Sequence, residues 1–248
     1  MESSGKQAQR DTVLMEKLFK KYGRWGRLSV YRHRFNFLGK KFLWFVVVEG
    51  TRGLKRLIDI LGSLFGLVVL SPVFVLTMLA IKLEDGGPIW FVQDRVGKWG
   101  KVFRMYKFRS MVMGADELQE DLKEKNEAGD VIFKMKDDPR LTRVGRTIRK
   151  LSIDELPQLY NVLKGDMALV GPRPHPANQA AKYTLMDRQR LEVIPGITGL
   201  WQVKGRSDVD FNEQVRLDVQ YIESQSIRGD LMLLLKTIPA VLTGKGAY

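Results

Sequence analysis

Between Ile60 and Ile81 the chain runs for 22 residues without a charge, and a Ser71-Pro72 pair sits in the middle of that run. As one straight α-helix the segment would reach about 33 Å, enough to cross the hydrocarbon core of a bilayer. Its flanks oppose a crossing. Lys40, Lys41, Arg52, Lys55 and Arg56 precede it, and Lys82, Arg95, Lys98, Lys101, Arg104, Lys107 and Arg109 follow. Cationic flanks are retained on the cytoplasmic side, and a single crossing cannot keep both of them there. Pro72 removes one helical N–H, clashes with the preceding turn and biases Ser71 away from α geometry. A bend at this point makes two arms, each rising roughly 16 Å or about half the core, so that the chain would enter one leaflet and return. The carbonyls freed at such a bend need partners, and the Ser71 hydroxyl is at hand for one of them. Three arrangements stay open on these grounds: a re-entrant hairpin, a spanning helix kinked at proline, and a buried hairpin of a soluble protein.

The net charge of +13 is distributed unevenly. Residues 1–58 hold 14 Lys/Arg against 4 Asp/Glu, and residues 59–248 hold 27 against 24. The excess therefore lies just ahead of the apolar segment, where each cation attracts anionic headgroups by about 1 kcal/mol near the surface. An anionic lipid bilayer is the expected partner. Nucleic acid is not, because no zinc-finger or RRM signature accompanies the charge. A secretory signal is excluded by an apolar run that starts so far into the chain and is too long for an h-region. With no cysteine and two histidines, neither a disulfide framework nor a Cys/His zinc site is available. The stretch FNFLGKKFLWFVVVEG (Phe35–Gly50) reads equally well as an interfacial helix with Trp44 at headgroup level or as a helix packed on the main domain.

Beyond the apolar segment, PIWFVQDRVGKWGKVFRMYKFRSM has two β-branched and aromatic runs joined by a Gly-bounded turn at Gly97–Lys101, the pattern of a β-hairpin. ADELQEDLKEKNEAG (Ala115–Gly129) reads as a polar helix and VIFKMK as a short strand. The remainder predicts helices over 142–150, about 154–163, 177–192, 210–225 and 229–243. The expected class is helix-dominated α+β.

Chemistry concentrates in RKLSIDELPQLYNVLKGDMALVGPRP, Arg149 to Pro174. Pro157 belongs in a first helical turn, which makes Ser152 or Asp154 the expected N-cap and puts Asp154 and Glu155 at a helix N-terminus, where carboxylates stay ionised. Ser152–Glu155 also fits a capping box, whose usual role is only to start a helix. Two adjacent carboxylates flanked by Arg149 and Arg173 suit a different task, holding Mg²⁺ and a pyrophosphate together, since carboxylates are hard oxygen ligands and arginine grips phosphate in a bidentate fashion. The prolines of GPRP stiffen the loop that carries Arg173.

The order of DRVGKWGKVFRMYKFRSM, DPRLTRVGRTIRKLSIDELPQLYNVLKGDMALVGPRP and PGITGLWQVKGR resembles the bacterial sugar transferases, the monotopic phosphoglycosyl transferases, from roughly Arg52 to the C-terminus. The resemblance implies transfer of a sugar-1-phosphate from a UDP-sugar to undecaprenyl phosphate with release of UMP. By family pattern Asp154 is the nucleophile that forms a phosphosugar-enzyme intermediate, Glu155 binds Mg²⁺ beside it, and Asp218 in RLDVQY is a further active-site acid. Lys107, Arg149, Arg173 and Arg206 are implied phosphate or nucleotide contacts. GPRPH, GLWQVKGRSDVDF and the terminal GAY look like the galactose- or glucose-1-phosphate branch that starts exopolysaccharide, capsule or O-antigen assembly. The family's re-entrant helix, broken at Ser-Pro, matches Ser71 and Pro72 as a membrane hinge. Thus the expected organisation is a basic extension (1–51), a re-entrant hairpin (52–84) and a cytoplasmic catalytic domain (85–248) at the inner membrane. A homodimer is one option for assembly. Two rival readings are a polyprenyl-phosphate glycosyltransferase that releases UDP and a non-catalytic membrane scaffold.

Overall fold

The computed structural model describes residues 12–18, 20, 49–115, 117–118, 135, 137–205 and 209–243. The chain divides into two compact units, Met1–Leu54 and Lys55–Tyr248. In the first, residues 12–18 are helical. Most of the Phe35–Gly50 stretch, the Ala115–Gly129 helix and the VIFKMK strand lie outside the described residues.

The long apolar segment forms two helices, α1 (Glu49–Val69) and α2 (Ser71–Asp85), bent by 59° at the break between them. Among the described residues no single helix is long and apolar enough to cross a membrane, whereas this bent pair passes that test jointly. Pro72 occupies the first turn of α2, where its missing N–H leaves no helical bond unmade. Ser71 Oγ donates to the Val68 carbonyl at 2.8 Å, satisfying one acceptor at the bend. The two helices bury some polar side chains and expose many large apolar ones. Asp59, Ser63 and Thr77 are buried, while Leu61, Phe65, Val68, Leu76, Leu79 and Leu83 are exposed. Small residues make the inward face possible: a Cβ on Gly62 would lie 2.7 Å from Leu169 Cδ1, and one on Gly66 would lie 3.1 Å from Leu159 Cδ1.

Polar contacts fasten the pair to the body. Arg56 donates to the carbonyls of Val162 and Leu163 at 2.6 and 2.8 Å. Lys55 reaches Asp230 at 2.6 Å, and Asp59 accepts from the Leu169 N–H at 3.0 Å. Glu84 accepts from the Arg143 N–H at 2.7 Å, capping helix α3 (Arg143–Lys150).

The predicted hairpin is present as antiparallel strands β1 (Trp90–Val96) and β2 (Val102–Phe108), with Phe91 opposite Lys107 and Arg95 opposite Phe103. Its turn uses positive φ at Trp99 and Gly100. Helix α4 (Gln158–Lys164) is followed by a second, parallel pair, β3 (Ala168–Val170) with β4 (Gly196–Thr198). Short helix α5 (Leu200–Lys204) precedes α6 (Phe211–Glu223) and α7 (Ile227–Thr243). The core gathers Phe103, Met105, Val162 and Met167 between β2 and α4, and Ile81, Phe108 and Ile148 between α2, β2 and α3.

One expected helix is corrected. Residues 177–192 do not form a single helix but a turn at Ala177–Ala180 and a 3-10 turn at Asp187–Leu191. Thr184 and Asp187 cap each other, Thr184 N–H and Oγ donating to Asp187 Oδ2 at 2.8 and 2.9 Å, and such side-chain bonds compete with helix continuation.

Candidate active site

Asn161 sets the frame. It is fully buried in α4, its Nδ2 donates to the Arg104 carbonyl at 2.7 Å, and its Oδ1 accepts from the Tyr106 N–H at 3.0 Å. One side chain thereby fixes α4 against β2, and the residues ahead of α4 arrive beside Lys107 at the end of that strand. Those residues form a 3-10 turn, Ile153–Glu155, entered through Ser152 at φ 54°. Here the capping-box expectation fails. Ser152 makes no side-chain cap, regular α-helix starts only at Gln158, and Glu155 is drawn away to cations on other elements. Tertiary ion pairing outcompetes a local cap worth about 1 kcal/mol.

Lys107 Nζ donates to Glu155 Oε1 at 2.8 Å and stands 3.7 Å from Asp154 Oδ2. Arg173 Nη1 donates to Glu155 Oε2 at 3.0 Å, and its Nη2 bonds Oε1 of the same carboxylate, a bidentate fork. Burial alone would raise Glu155, yet Arg173 and Lys107 together hold it well below the usual glutamate range. For Asp154 burial prevails and pushes its carboxyl up, with Lys107 pulling down and Glu155 adding to the rise. Burial also lowers Lys107, which its two carboxylate neighbours partly restore. The neighbouring acids thus differ: Glu155 is locked as an anion between two cations, and Asp154 is the less committed oxygen donor.

The loop carrying Arg173 is held from three sides. Gly171 donates to the Thr198 carbonyl and Gly196 to the Pro172 carbonyl, each at 2.9 Å, in an approach so close that a Cβ on Gly196 would lie 2.0 Å from Gly171 N. Arg95 Nη1 donates to the Pro174 carbonyl at 3.0 Å, and the Val96 N–H donates to the His175 carbonyl at 3.0 Å. From behind, Arg190 donates to the Arg173 carbonyl at 3.5 Å and to Tyr183 Oη at 3.3 Å, and it ion-pairs with Asp218.

These groups open onto a cleft of about 1020 Å³, whose lining includes Arg95, Lys107, Arg149, Asp154, Glu155 and Arg173. Of the sequence candidates, Lys107, Arg149, Asp154, Glu155 and Arg173 are therefore brought together. Asp218 is not: at 1% exposure it lies against Arg190 behind the Arg173 loop, and burial pushes its pKa up to about 6 despite that arginine. Arg206 lies outside the described residues. Among the described residues no group of three or more Asp, Glu, His or Cys is clustered as metal ligands. The Asp154–Glu155 pair fits Mg²⁺ in its chemistry, because that ion commonly takes one or two carboxylates and completes its shell with water and substrate phosphates.

Sequence reading missed Arg95 and Arg190. Arg95 is the easier of the two to find, since it sits opposite Phe103 on the strand face that carries Lys107, two residues from Gln93 Oε1, to which its Nη2 donates at 2.6 Å. Burial, with Arg173 nearby, lowers its pKa to about 9.

Comparison with known proteins fits this geometry. Residues 50–244 match the bacterial sugar transferase family. The chain is 50% identical over 194 residues to the galactosyl transferase CpsE of Streptococcus agalactiae, covering 78% of this chain and 43% of the relative. It is 45% identical over 208 residues to the undecaprenyl-phosphate galactose phosphotransferase of Salmonella typhimurium, covering 81% of this chain and 43% of that protein. With the exopolysaccharide production protein ExoY of Sinorhizobium fredii the identity is 40% over 198 residues, covering 78% and 88%. The chain thus spans less than half the length of the first two relatives and most of the third. It belongs to the bacterial sugar transferase family.

Proposed function

We propose that the protein transfers a sugar-1-phosphate from a UDP-sugar to undecaprenyl phosphate through a covalent aspartyl intermediate and releases UMP. The observation that carries this reading is the pairing of a partly free carboxylate, Asp154, with a neighbouring acid already gripped by Arg173 and Lys107 in one large cleft. A Ser/Cys nucleophile needs a base, whereas an ionised carboxylate needs none. In the first step an Asp154 oxygen attacks the sugar-bearing phosphorus, the bond from that phosphorus to the bridging oxygen breaks, and UMP leaves with that oxygen. In the second, a phosphate oxygen of the polyprenyl acceptor attacks the same phosphorus and Asp154 departs. Lys107, Arg149 and Arg173, joined by Arg95, offset charge on the phosphoryl oxygens.

Mg²⁺ is part of the proposal, with Asp154 and Glu155 as its protein ligands. When bound, it would supply charge neutralisation on the diphosphate. Galactose is favoured by the names of relatives, which include a galactose phosphotransferase and a UDP-galactose-lipid carrier transferase, while another is named for N-acetylgalactosamine and glucose rests on motif resemblance alone. A membrane surrounding rests on the large apolar side chains that α1 and α2 expose, and placement at the cytoplasmic face rests on the cationic residues at both ends of the pair. A bend of 59° at Leu70, with both ends of the pair fastened to the body by Arg56, Lys55 and Glu84, favours a hairpin that enters and returns.

The test is a single turnover with UDP-galactose labelled in the sugar. UMP should appear at up to one equivalent per enzyme, with the label retained on the protein until undecaprenyl phosphate is added. Asp154→Asn should lose both the adduct and turnover by a factor on the order of 10³ or more. Release of UDP in place of UMP, or an active Asp154→Asn, would overturn the mechanism.

A further inference from the structure

Helices α5 and α6 contribute three polar atoms that carry no hydrogen bond among the described residues: Trp201 Nε1, Gln202 Oε1 and Gln214 Oε1. All three residues line the cleft. The amide orientations are fixed at their other ends, because Gln202 Nε2 donates to the Ile197 carbonyl at 3.0 Å and Gln214 Nε2 donates to the Val209 carbonyl at 2.8 Å. What remains over is one donor and two acceptors. Trp201 is 7% exposed and Gln214 only 1%. Native proteins hold few such groups, since an unmade buried hydrogen bond weakens the fold, and three beside one cleft call for a ligand.

We propose that Trp201, Gln202 and Gln214 form the subsite for the hydroxyl groups of the donor's hexose. This rests on the transferase reading given above. A hexose ring carries several hydroxyls, each able to donate to a glutamine oxygen or accept from the indole N–H. A uracil ring offers a single N–H and would leave one of the two acceptors unmade; the nucleotide's ribose has hydroxyls enough, and inhibition by UMP distinguishes it from the hexose. A polyprenyl tail would leave all three unmade. The cations Arg95, Lys107, Arg149 and Arg173 lie in the same cleft and suit the diphosphate, so a sugar subsite completes a division of labour along one surface. The three atoms lie just beneath the cleft wall, and their engagement by hydroxyls that keeps both Nε2 bonds is part of the proposal.

Trp201→Phe tests this with the smallest change, since it removes the N–H and keeps an aromatic ring; Gln214→Met is the second variant. UMP release from UDP-galactose and UDP-glucose is measured alongside inhibition by UMP and thermal unfolding. Expected are a fall of about tenfold in kcat/KM for the preferred donor and a changed ratio between the two epimers, with UMP inhibition unaltered. Any fall in the melting temperature of Trp201→Phe should be no more than the smaller ring's lost packing accounts for, because the deleted donor has no partner to lose. An unchanged epimer ratio or weaker UMP inhibition for Trp201→Phe would overturn the subsite. Equilibrium binding of both UDP-hexoses separates the two possible failures. Absence of turnover in the wild-type chain sinks the transferase reading, whereas equal UDP-hexose affinity in wild type and Trp201→Phe sinks the subsite.

Discussion

Glu155 and Asp218 are both carboxylates removed from water and paired with arginine, yet their surroundings drive them in opposite directions. Glu155 meets Arg173 and Lys107, both its oxygens are engaged, and the two cations overcome burial to hold it anionic. Asp218 meets Arg190 through one oxygen, its Oδ1 has no hydrogen-bond partner among the described residues, and burial raises it to about 6. Direct engagement and depth of burial both separate them: Glu155 is bonded on both oxygens by two cations and keeps 16% of its side chain exposed, whereas Asp218 is bonded on one and keeps 1%. The first pair lines an open cleft, where anions can exchange with its cations. The second is sealed, with side chains 1% exposed on both partners, and touches the Arg173 loop through a 3.5 Å contact to its carbonyl.

The sharpest way to break this comparison is Arg190→Met. It removes the only ion-pair partner of Asp218 among the described residues, together with bonds to Tyr183 Oη and the Arg173 carbonyl. Breaking a buried pair on one side costs about 3–5 kcal/mol, and uptake of a proton by Asp218 near neutral pH keeps the loss at the lower end. Chemical denaturation should show that loss, with activity falling as the Arg173 loop loosens. A variant as stable as the wild type would mean that the sealed pair does not support the loop.

How legible these two sites were differs for a physical reason. The hairpin bearing Lys107 announces itself through local pattern, with β-branched runs around a Gly-bounded turn. The Asp154–Glu155 pair stands out because both acids are adjacent in sequence and ringed by arginines. Their local geometry was misread, since S-x-x-E has the same letters whether Glu155 turns back to its own helix or out to Arg173, and only the fold brings Arg173 within reach. Asp218 was placed in the active site by resemblance, while its partner Arg190 is 28 positions away in the chain and reveals itself only when the loops are closed. Strands β3 and β4 were missed because three residues each carry no usable period and their parallel pairing joins distant segments. The bend at Ser71-Pro72, by contrast, was readable, as proline chemistry is local.

The next prediction concerns Glu155→Gln. At the open pair the loss should fall on catalysis, because a neutral amide no longer aligns Arg173 and Lys107, and a misplacement of about 1 Å can cost roughly a hundredfold in rate. We expect kcat/KM to drop by about that factor, with a loss of stability smaller than in Arg190→Met, since the two freed cations border the cleft and can be rehydrated there. Equal damage to stability in Glu155→Gln and Arg190→Met would erase the distinction between open and sealed pairs.

The smallest expected effect is a difference in pH dependence. A carboxyl raised by burial binds its proton more tightly in the folded chain than in the unfolded one. The contribution of Asp218 to stability is therefore greatest near and below its ordinary value of 3.8, declines as pH rises toward about 6, and is level above that. The shift corresponds to about 2–3 kcal/mol across the window. Glu155 has the opposite sign: its contribution is present above the ordinary glutamate value of 4.5 and is lost as pH falls through its depressed folded value. Because other groups titrate as well, each effect is read as the difference between wild type and a non-titrating variant. The difference between wild type and Asp218→Asn should change between pH 4 and 6, with wild type losing ground as pH rises, and that for Glu155→Gln should change only below about pH 4.5. Denaturant unfolding at half-unit pH intervals measures both. A flat Asp218 difference curve between pH 4 and 6 would mean that Arg190 offsets burial as completely as Arg173 and Lys107 do for Glu155, and the contrast between one cation and two would then fail.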